Sequence, residues 1–320
     1  MNSTTNTPPI QRVAVVATGV IGASWATCFL ARGLEVTATD PAPGAETALR
    51  ALVASQWPAM QAAGVAADAT PERLRFTASV EAAVEEAQFV QENGPERLAL
   101  KLELFRRIDA AAPPHAILAS SSSTLMASEF QDACERHPER VVLGHPFNPP
   151  HLVPLVEVAA STRTSAETIE RTMAFYRQVG KHPIHLKKEV RGHVANRLQA
   201  ALWQEALHLV QSGVASVADV DAAIAHGPGL RWALLGPFLN LHLSGGEGGI
   251  DALFGKPLWQ AVEALWRDLG RVSVDPALAA AVAAGVRDEM SSIDPAEMTR
   301  ERDALLQTLL VRKAAAPSLP

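Results

Sequence analysis

Residues 12–40 read RVAVVATGVIGASWATCFLARGLEVTATD, and this stretch decides the fold. It opens with a β-branched run, RVAVV, of the kind that fills a parallel strand buried on both faces. A glycine-bearing turn leads into the helical-looking ASWATCFLA, Gly33 is placed to close that helix as a C-cap, and LEVTATD supplies a second strand. Strand, helix and strand within about 30 residues is the span of one parallel crossover unit.

Working outward, the same alternation continues. RLRFTAS, FVQEN, AILASSS, RVVLGHPFN, LVPLVEV and HPIHLKK read as further strands, separated by helical segments such as PERLALKLELFRRIDAAA. The pattern predicts an α/β fold with a doubly wound, mostly parallel sheet. Past Val190 the strand signal stops, and RGHVANRLQAALWQEALHLVQSG and later stretches carry helical periodicity. Leu198, Leu202 and Leu209, with Ala201 and Val210, form a stripe that must face another helix. At 320 residues the chain is long enough for two domains of about 150 residues each. The expected organisation is a disordered tail over 1–10, the sheet domain over 11–190 and an all-α domain over 191–320.

Composition narrows the function classes. The net charge is −6, with 28 Lys and Arg against 34 Asp and Glu, so nothing draws the chain generally to nucleic acid or to anionic membranes. Aromatics are 5% of the chain, too few for a base-stacking surface. Two cysteines, Cys28 and Cys134, cannot build a disulfide framework or a thiolate zinc site, and the start MNSTTNTPPI lacks the pattern of a secretion signal. A cytoplasmic protein is expected. The ten histidines include no HExxH, so no metal is expected either.

The turn at Ala17-Thr18-Gly19-Val20-Ile21-Gly22 carries the second and third glycines of a dinucleotide-binding turn, with Ala17 at the first position. Those glycines serve close backbone approach to a pyrophosphate and helix packing on the strand, and the amides of a helix start favour phosphate. Asp40 ends the next strand, 18 residues after Gly22. A carboxylate there accepts from a ribose 2′-hydroxyl and repels a 2′-phosphate, and PAPGAE after it offers no arginine, so NAD is expected over NADP. The plainer reading is a tightly packed glycine turn, with Asp40 a turn residue before Pro41.

The segment GHPFNPPHLVPLVEV, residues 144–158, sets two apolar runs about a proline-rich turn. His145 and Glu157 are equidistant from His151, so a hairpin folded there brings imidazole and carboxylate opposite one another. A histidine oriented by a carboxylate is a general base for a hydroxyl proton. The other reading is a turn-capping histidine and a glutamate on a solvated strand edge.

At these residues the chain resembles the L-3-hydroxyacyl-CoA dehydrogenase family, from about residue 12 to about residue 252. The resemblance implies a Rossmann-type domain followed by a helical domain used for substrate and for homodimerisation, with NAD as cofactor. It implies His145 as base and Glu157 as its partner, Ser123 of the run ASSSSTL at the substrate oxygen, and Asn196 of VANRL on the reacting group. On the cofactor side it implies Gly19, Val20, Ile21, Gly22, Asp40, Glu96, Lys101 and Asn148. Blander readings exist for each: a polar loop for the serines, a capping amide for Asn196, and an i, i+5 surface pair for Glu96 and Lys101.

CoA esters carry several negative charges that call for basic residues. The stretch ALVASQWPAMQAAGVAADATP, where acyl-CoA members contact CoA, has none. The segment GLRWALLGP at 229–237 adds Arg231, able to pair bidentately with a free carboxylate, or else stacked on Trp232 at the surface. These departures resemble the CoA-independent branches of the family. SSSSTL, HPFNPPHLVPLVEV and NRLQ are similar to lambda-crystallin, an L-gulonate 3-dehydrogenase. DPAPGAE, SQWPA, GHPFNP, EALHLV, GLRW and GPFLNLHLSGGEGG are similar to L-carnitine dehydrogenases, and this second likeness is the stronger. It implies oxidation of the 3-hydroxyl of a short free 3-hydroxy acid, L-carnitine first, with Phe147 and Trp232 as aromatic faces for a trimethylammonium group. The alternatives are L-gulonate, a 3-hydroxybutyryl-CoA-type ester, and a crystallin-like NAD-binding protein without turnover.

Overall fold

The computed structural model describes residues 9–254 and 257–319. The chain separates into two compact units that divide between Asn196 and Arg197.

The first unit is built on an eight-stranded sheet. Its strands are β1 (Arg12–Val16), β2 (Glu35–Thr39), β3 (Leu74–Thr77), β4 (Phe89–Glu92), β5 (Ile117–Ser120), β6 (Val141–Pro146), β7 (Leu155–Ala159) and β8 (His182–Leu186). They lie in the order β3-β2-β1-β4-β5-β6-β7-β8, with β6 and β7 the single antiparallel pair. The doubly wound, mostly parallel arrangement expected from the alternation is what forms. The order runs outward both ways from β1, which puts the strand ends beside β1 and β4 at the topological switch, where ligands of such sheets bind.

Successive strand residues alternate between two cores. Val13, Val15, Val36, Phe89 and Val158 pack with α1 (Val20–Ala31), α2 (Ala45–Ala63) and α6 (Ala166–Gln178). Ala14, Val16, Val90, Leu118 and Leu143 pack with α3 (Val80–Val84), α4 (Leu98–Ala111) and α5 (Ala127–Phe130). Burial on both faces is why these strands read as unbroken apolar runs. Ten of the twelve residues of α1 are buried, which explains its lack of a polar face. The expected tail over 1–10 falls mainly outside the described residues. Of its last two, Ile10 is buried in the first core and its carbonyl accepts from Gln178, so Ile10 packs with the sheet domain.

A buried aromatic cluster, Trp25, Phe29, Phe89, Phe175 and Tyr176, braces the sheet beneath the strand ends. The Tyr176 hydroxyl donates to Gln91 at 2.7 Å, while Gln91 donates to Ser121 and to the Gly144 carbonyl. A Cβ at Gly144 would collide with the Tyr176 hydroxyl. That contact is why glycine precedes His145 on β6.

The second unit is helical, with α7 (Ala195–Gln211) entering it, then α8 (Val217–Ala225), α9 (Pro228–Trp232), α10 (Pro237–Ser244), α11 (Gly249–Phe254), α12 (Leu258–Asp268), α13 (Pro276–Glu289) and α14 (Pro295–Ala314). Among its described residues, Leu253 and Leu278 are the only buried hydrophobics. No residue of α7, which carries the stripe expected to face another helix, is buried, and Leu198 is 60% exposed. Leu209 and Val210, nearer its C-terminal end, are half-buried, so the described residues cover the stripe only in part. Among the described residues no helix is long and apolar enough to cross a membrane.

Candidate active site

The antiparallel register of β6 and β7 pairs His145 directly with Glu157. The imidazole Nδ1 lies 3.0 Å from Glu157 Oε2. A carboxylate only accepts, so Nδ1 carries the proton and Nε2 keeps a lone pair able to take one. Both groups are buried, Glu157 completely. The other carboxylate oxygen, Oε1, accepts from the backbone amides of Val194 and Ala195 at 2.8 and 3.0 Å, at the start of α7. Burial alone would raise the Glu157 pKa. The hydrogen bond from His145 and the amides of Ala195 and Val194 outweigh it and hold the carboxyl below the usual range. A helix start aimed at the carboxylate acts in the same direction.

The serine run after β5 forms the neighbouring wall. Glu96 accepts from the Ser122 hydroxyl at 2.8 Å, the Ser123 amide at 2.8 Å and the Thr124 hydroxyl at 2.9 Å. Partial burial opposes ionisation of Glu96, but these three donors and the nearby Lys101 prevail and lower its pKa. Glu96 therefore fastens the loop that carries Ser123. The Ser123 hydroxyl makes no hydrogen bond to a described protein group, and neither does the side chain of Asn196 in the first turn of α7. The ring of Phe147 meets that of His145 edge-on at 6.0 Å. Asn148 is exposed on the turn that follows.

Lys101 does not form the surface pair with Glu96. Its ammonium is 1% exposed and donates to Glu92 Oε1 and Oε2 at 2.9 and 2.8 Å and to the Gly94 carbonyl at 3.3 Å. Three donors are then committed to three acceptors. The Ser120 hydroxyl, at 2.6 Å, and the Gly94 amide complete the shell of Glu92. Sequence reasoning did not single out Glu92, although an acid closing a buried apolar strand, FVQE, was the available signal. His193, buried beside the His145 ring, was also missed, although it lies within the quoted stretch RGHVANRL.

The turn between β1 and α1 fits a dinucleotide. The first intrahelical bond runs from the Ala23 amide to the Gly19 carbonyl, and no side chain caps the helix, so the amides before Ala23 point outward from its start. A Cβ at Gly19 would meet no protein atom within 4 Å, whereas one at Gly22 would overlap the Ala17 carbonyl oxygen. Gly19 thus fronts open space and Gly22 is demanded by packing. Ala17 adopts φ +67, the left-handed conformation that glycine accepts more readily. Asp40 accepts from the Thr18 amide at 2.8 Å and the Ala42 amide at 2.9 Å, which ties the turn to the end of β2.

Residues 12–190 match the model of the 3-hydroxyacyl-CoA dehydrogenase NAD binding domain, and residues 192–271 match that of the 3-hydroxyacyl-CoA dehydrogenase C-terminal domain. The chain belongs to the 3-hydroxyacyl-CoA dehydrogenase family. As a member of this family it is an NAD-dependent oxidoreductase acting on a CH–OH group. It is 47% identical to the L-carnitine dehydrogenase of Streptomyces griseus subsp. griseus over 92% of this chain and 87% of that one. It is also 47% identical to the L-carnitine dehydrogenase of Pseudomonas aeruginosa over 94% of this chain and 93% of that one. Among solved structures, an NAD+-dependent 5-formyl-3-hydroxy-2-methylpyridine 4-carboxylic acid 5-dehydrogenase superposes with a TM-score of 0.79 at 28% identity, covering 95% of this chain and 98% of that one. M. tuberculosis FadB2 gives 0.66 at 30% identity, over 87% and 95%. In this family member Arg231 and Trp232 lie on α9 of the helical unit, both exposed.

Proposed function

We propose that the protein oxidises the 3-hydroxyl of a short free 3-hydroxy acid, L-carnitine, to the 3-keto acid. The observation that carries this is the 47% identity to L-carnitine dehydrogenases along nearly the whole chain. NAD+ held at the Gly19–Gly22 turn supplies the hydride acceptor. His145 Nε2 takes the hydroxyl proton, and Glu157, ionised by its donors, stabilises the imidazolium that results. Ser123 and Asn196 orient the substrate oxygen. Phe147, beside His145, offers an aromatic face to the trimethylammonium group, while Arg231 and Trp232 of the helical unit have the chemistry to take a carboxylate and a cation.

The structure supports a small acid over a CoA ester on one further point. The basic-free stretch after residue 50 forms most of α2 and lines a cleft with Pro71, Glu72 and Leu74. Arg50 is the one cation among the residues that line it, and it is paired with Glu46 at 2.8 Å. Such a cleft offers little to the phosphates of CoA.

We also read the chain as a homodimer, because a helical unit with two buried hydrophobics and exposed Trp203, Trp232, Phe238 and Trp266 needs a second copy to cover it. Two buried, unpaired cysteines suit the reducing cytoplasm. Steady-state kinetics with NAD+ and L-carnitine, L-gulonate or 3-hydroxybutyryl-CoA test the substrate. The highest kcat/KM is expected for L-carnitine, and a preference for either other compound overturns the assignment.

A further inference from the structure

His193 precedes α7 in the left-handed region, φ +49, after Gly192 at φ +74, and is 1% exposed. Its Nε2 lies 3.0 Å from the Ser122 carbonyl oxygen. A carbonyl can only accept, so His193 carries its proton on Nε2 and a lone pair on Nδ1. That Nδ1 is buried without a hydrogen-bond partner. The ring centroid stands 4.8 Å from that of His145, with the planes tilted by 47°. Burial lowers the His193 pKa, opposed by the Ser122 hydrogen bond and by Glu157 and Glu96, and reinforced by His145. The ring is thus kept neutral.

We propose that His193 is a positioning residue for the dehydrogenation: its Nε2–H tethers the Ser122 carbonyl, and with it the Ser123 hydroxyl, beside the base. The serine loop is then gripped from two directions. Glu96 holds it by the Ser122 hydroxyl, the Ser123 amide and the Thr124 hydroxyl, and His193 holds it by a backbone carbonyl. Ser122 is itself 1% exposed, so without His193 its carbonyl has no water to turn to. The loop would then shift to find a donor and carry Ser123 with it. The neutral ring also allows a positive charge to form on His145 during turnover without a like charge against it.

This inference rests on His145 being the base, so the experiment carries a control for that reading. His193→Phe, His193→Gln and His145→Gln are compared with the wild type, with NAD+ and whichever compound of the substrate panel turns over fastest. Phenylalanine keeps a ring and loses the donor, while glutamine restores an N–H toward Ser122. The expected result is a kcat about tenfold or more lower for His193→Phe with KM nearly unchanged, since a small misplacement of a substrate-orienting group has this effect, and recovery to within about threefold in His193→Gln. A wild-type kcat in His193→Phe overturns the proposal. So does an equal loss in both His193 variants that follows their melting temperatures, which marks a packing role alone. Turnover retained in His145→Gln overturns the base assignment and this inference with it. Turnover lost in His145→Gln beside a wild-type-like His193→Phe overturns only the inference.

Discussion

Lys101 donates to both carboxylate oxygens of Glu92, at 2.9 and 2.8 Å, and both residues are buried. Removing one partner of such a pair leaves an uncompensated charge in the core. Lys101→Met is expected to lower the unfolding free energy by about 3–5 kcal/mol in denaturant titrations. Unchanged stability with weakened NAD binding would show instead that the ammonium serves the cofactor.

The dinucleotide turn gives a contrasting pair of variants. Ala17→Gly removes the left-handed penalty of roughly 1 kcal/mol and adds glycine's chain entropy, so the net change should stay within about 1 kcal/mol. NAD affinity by calorimetry should not weaken. Gly22→Ala drives a methyl into the Ala17 carbonyl and should lose NAD binding. A Gly22→Ala variant that binds NAD normally contradicts the packing argument.

Cofactor choice follows from Asp40. A carboxylate that already accepts two amides still presents lone pairs to a 2′-hydroxyl and repels a 2′-phosphate. kcat/KM is expected to be at least about tenfold higher with NAD+ than with NADP+, as the like charge disfavours the wrong partner. The reverse preference would sink the argument.

Glu157 ties activity and stability to pH. Its folded pKa is depressed, so the stability it contributes is fully present above the unfolded value of about 4.3 and is lost as pH falls from there through the folded value. Glu157→Gln should therefore be less stable than wild type near pH 7, with the gap narrowing below about pH 4.3. Its kcat should fall by about 10²-fold or more, as expected when a general base loses its partner. A stability gap that widens on acidification is the opposing result.

The helical unit should report its partner directly. Light scattering on the eluted protein is expected to give twice the chain mass, and a melting temperature that rises with concentration. Replacing the exposed Leu202 and Trp203 with glutamate should yield monomer. A wild-type monomer at working concentrations excludes the second copy.

The sheet was legible in the sequence because its strands are covered on both sides, leaving short apolar runs that end in glycine or polar turns. The pairing of His145 with Glu157 was legible for another reason: a hairpin fixes cross-strand partners by equal distance from its turn, and His151 marks that centre. The partner of Lys101 was not legible. The five-residue spacing in the sequence suggested Glu96, but the ammonium passes to Glu92 on β4, a choice made by the packing of helix on sheet. Nor could the sequence say that Glu96 would be taken up by the serine loop, or that Leu198 and Leu202 of the α7 stripe would stay exposed.

Glu157 accepts from His145 with one oxygen and from the amides of Val194 and Ala195 with the other. A single carboxylate is therefore both the anchor of the base and the fastening point for the last stretch of chain before Asn196. Disabling the chemistry at this residue also unpins the polypeptide. An inactive Glu157 variant should thus become cleavable near residues 192–196 by a protease that leaves the wild type whole.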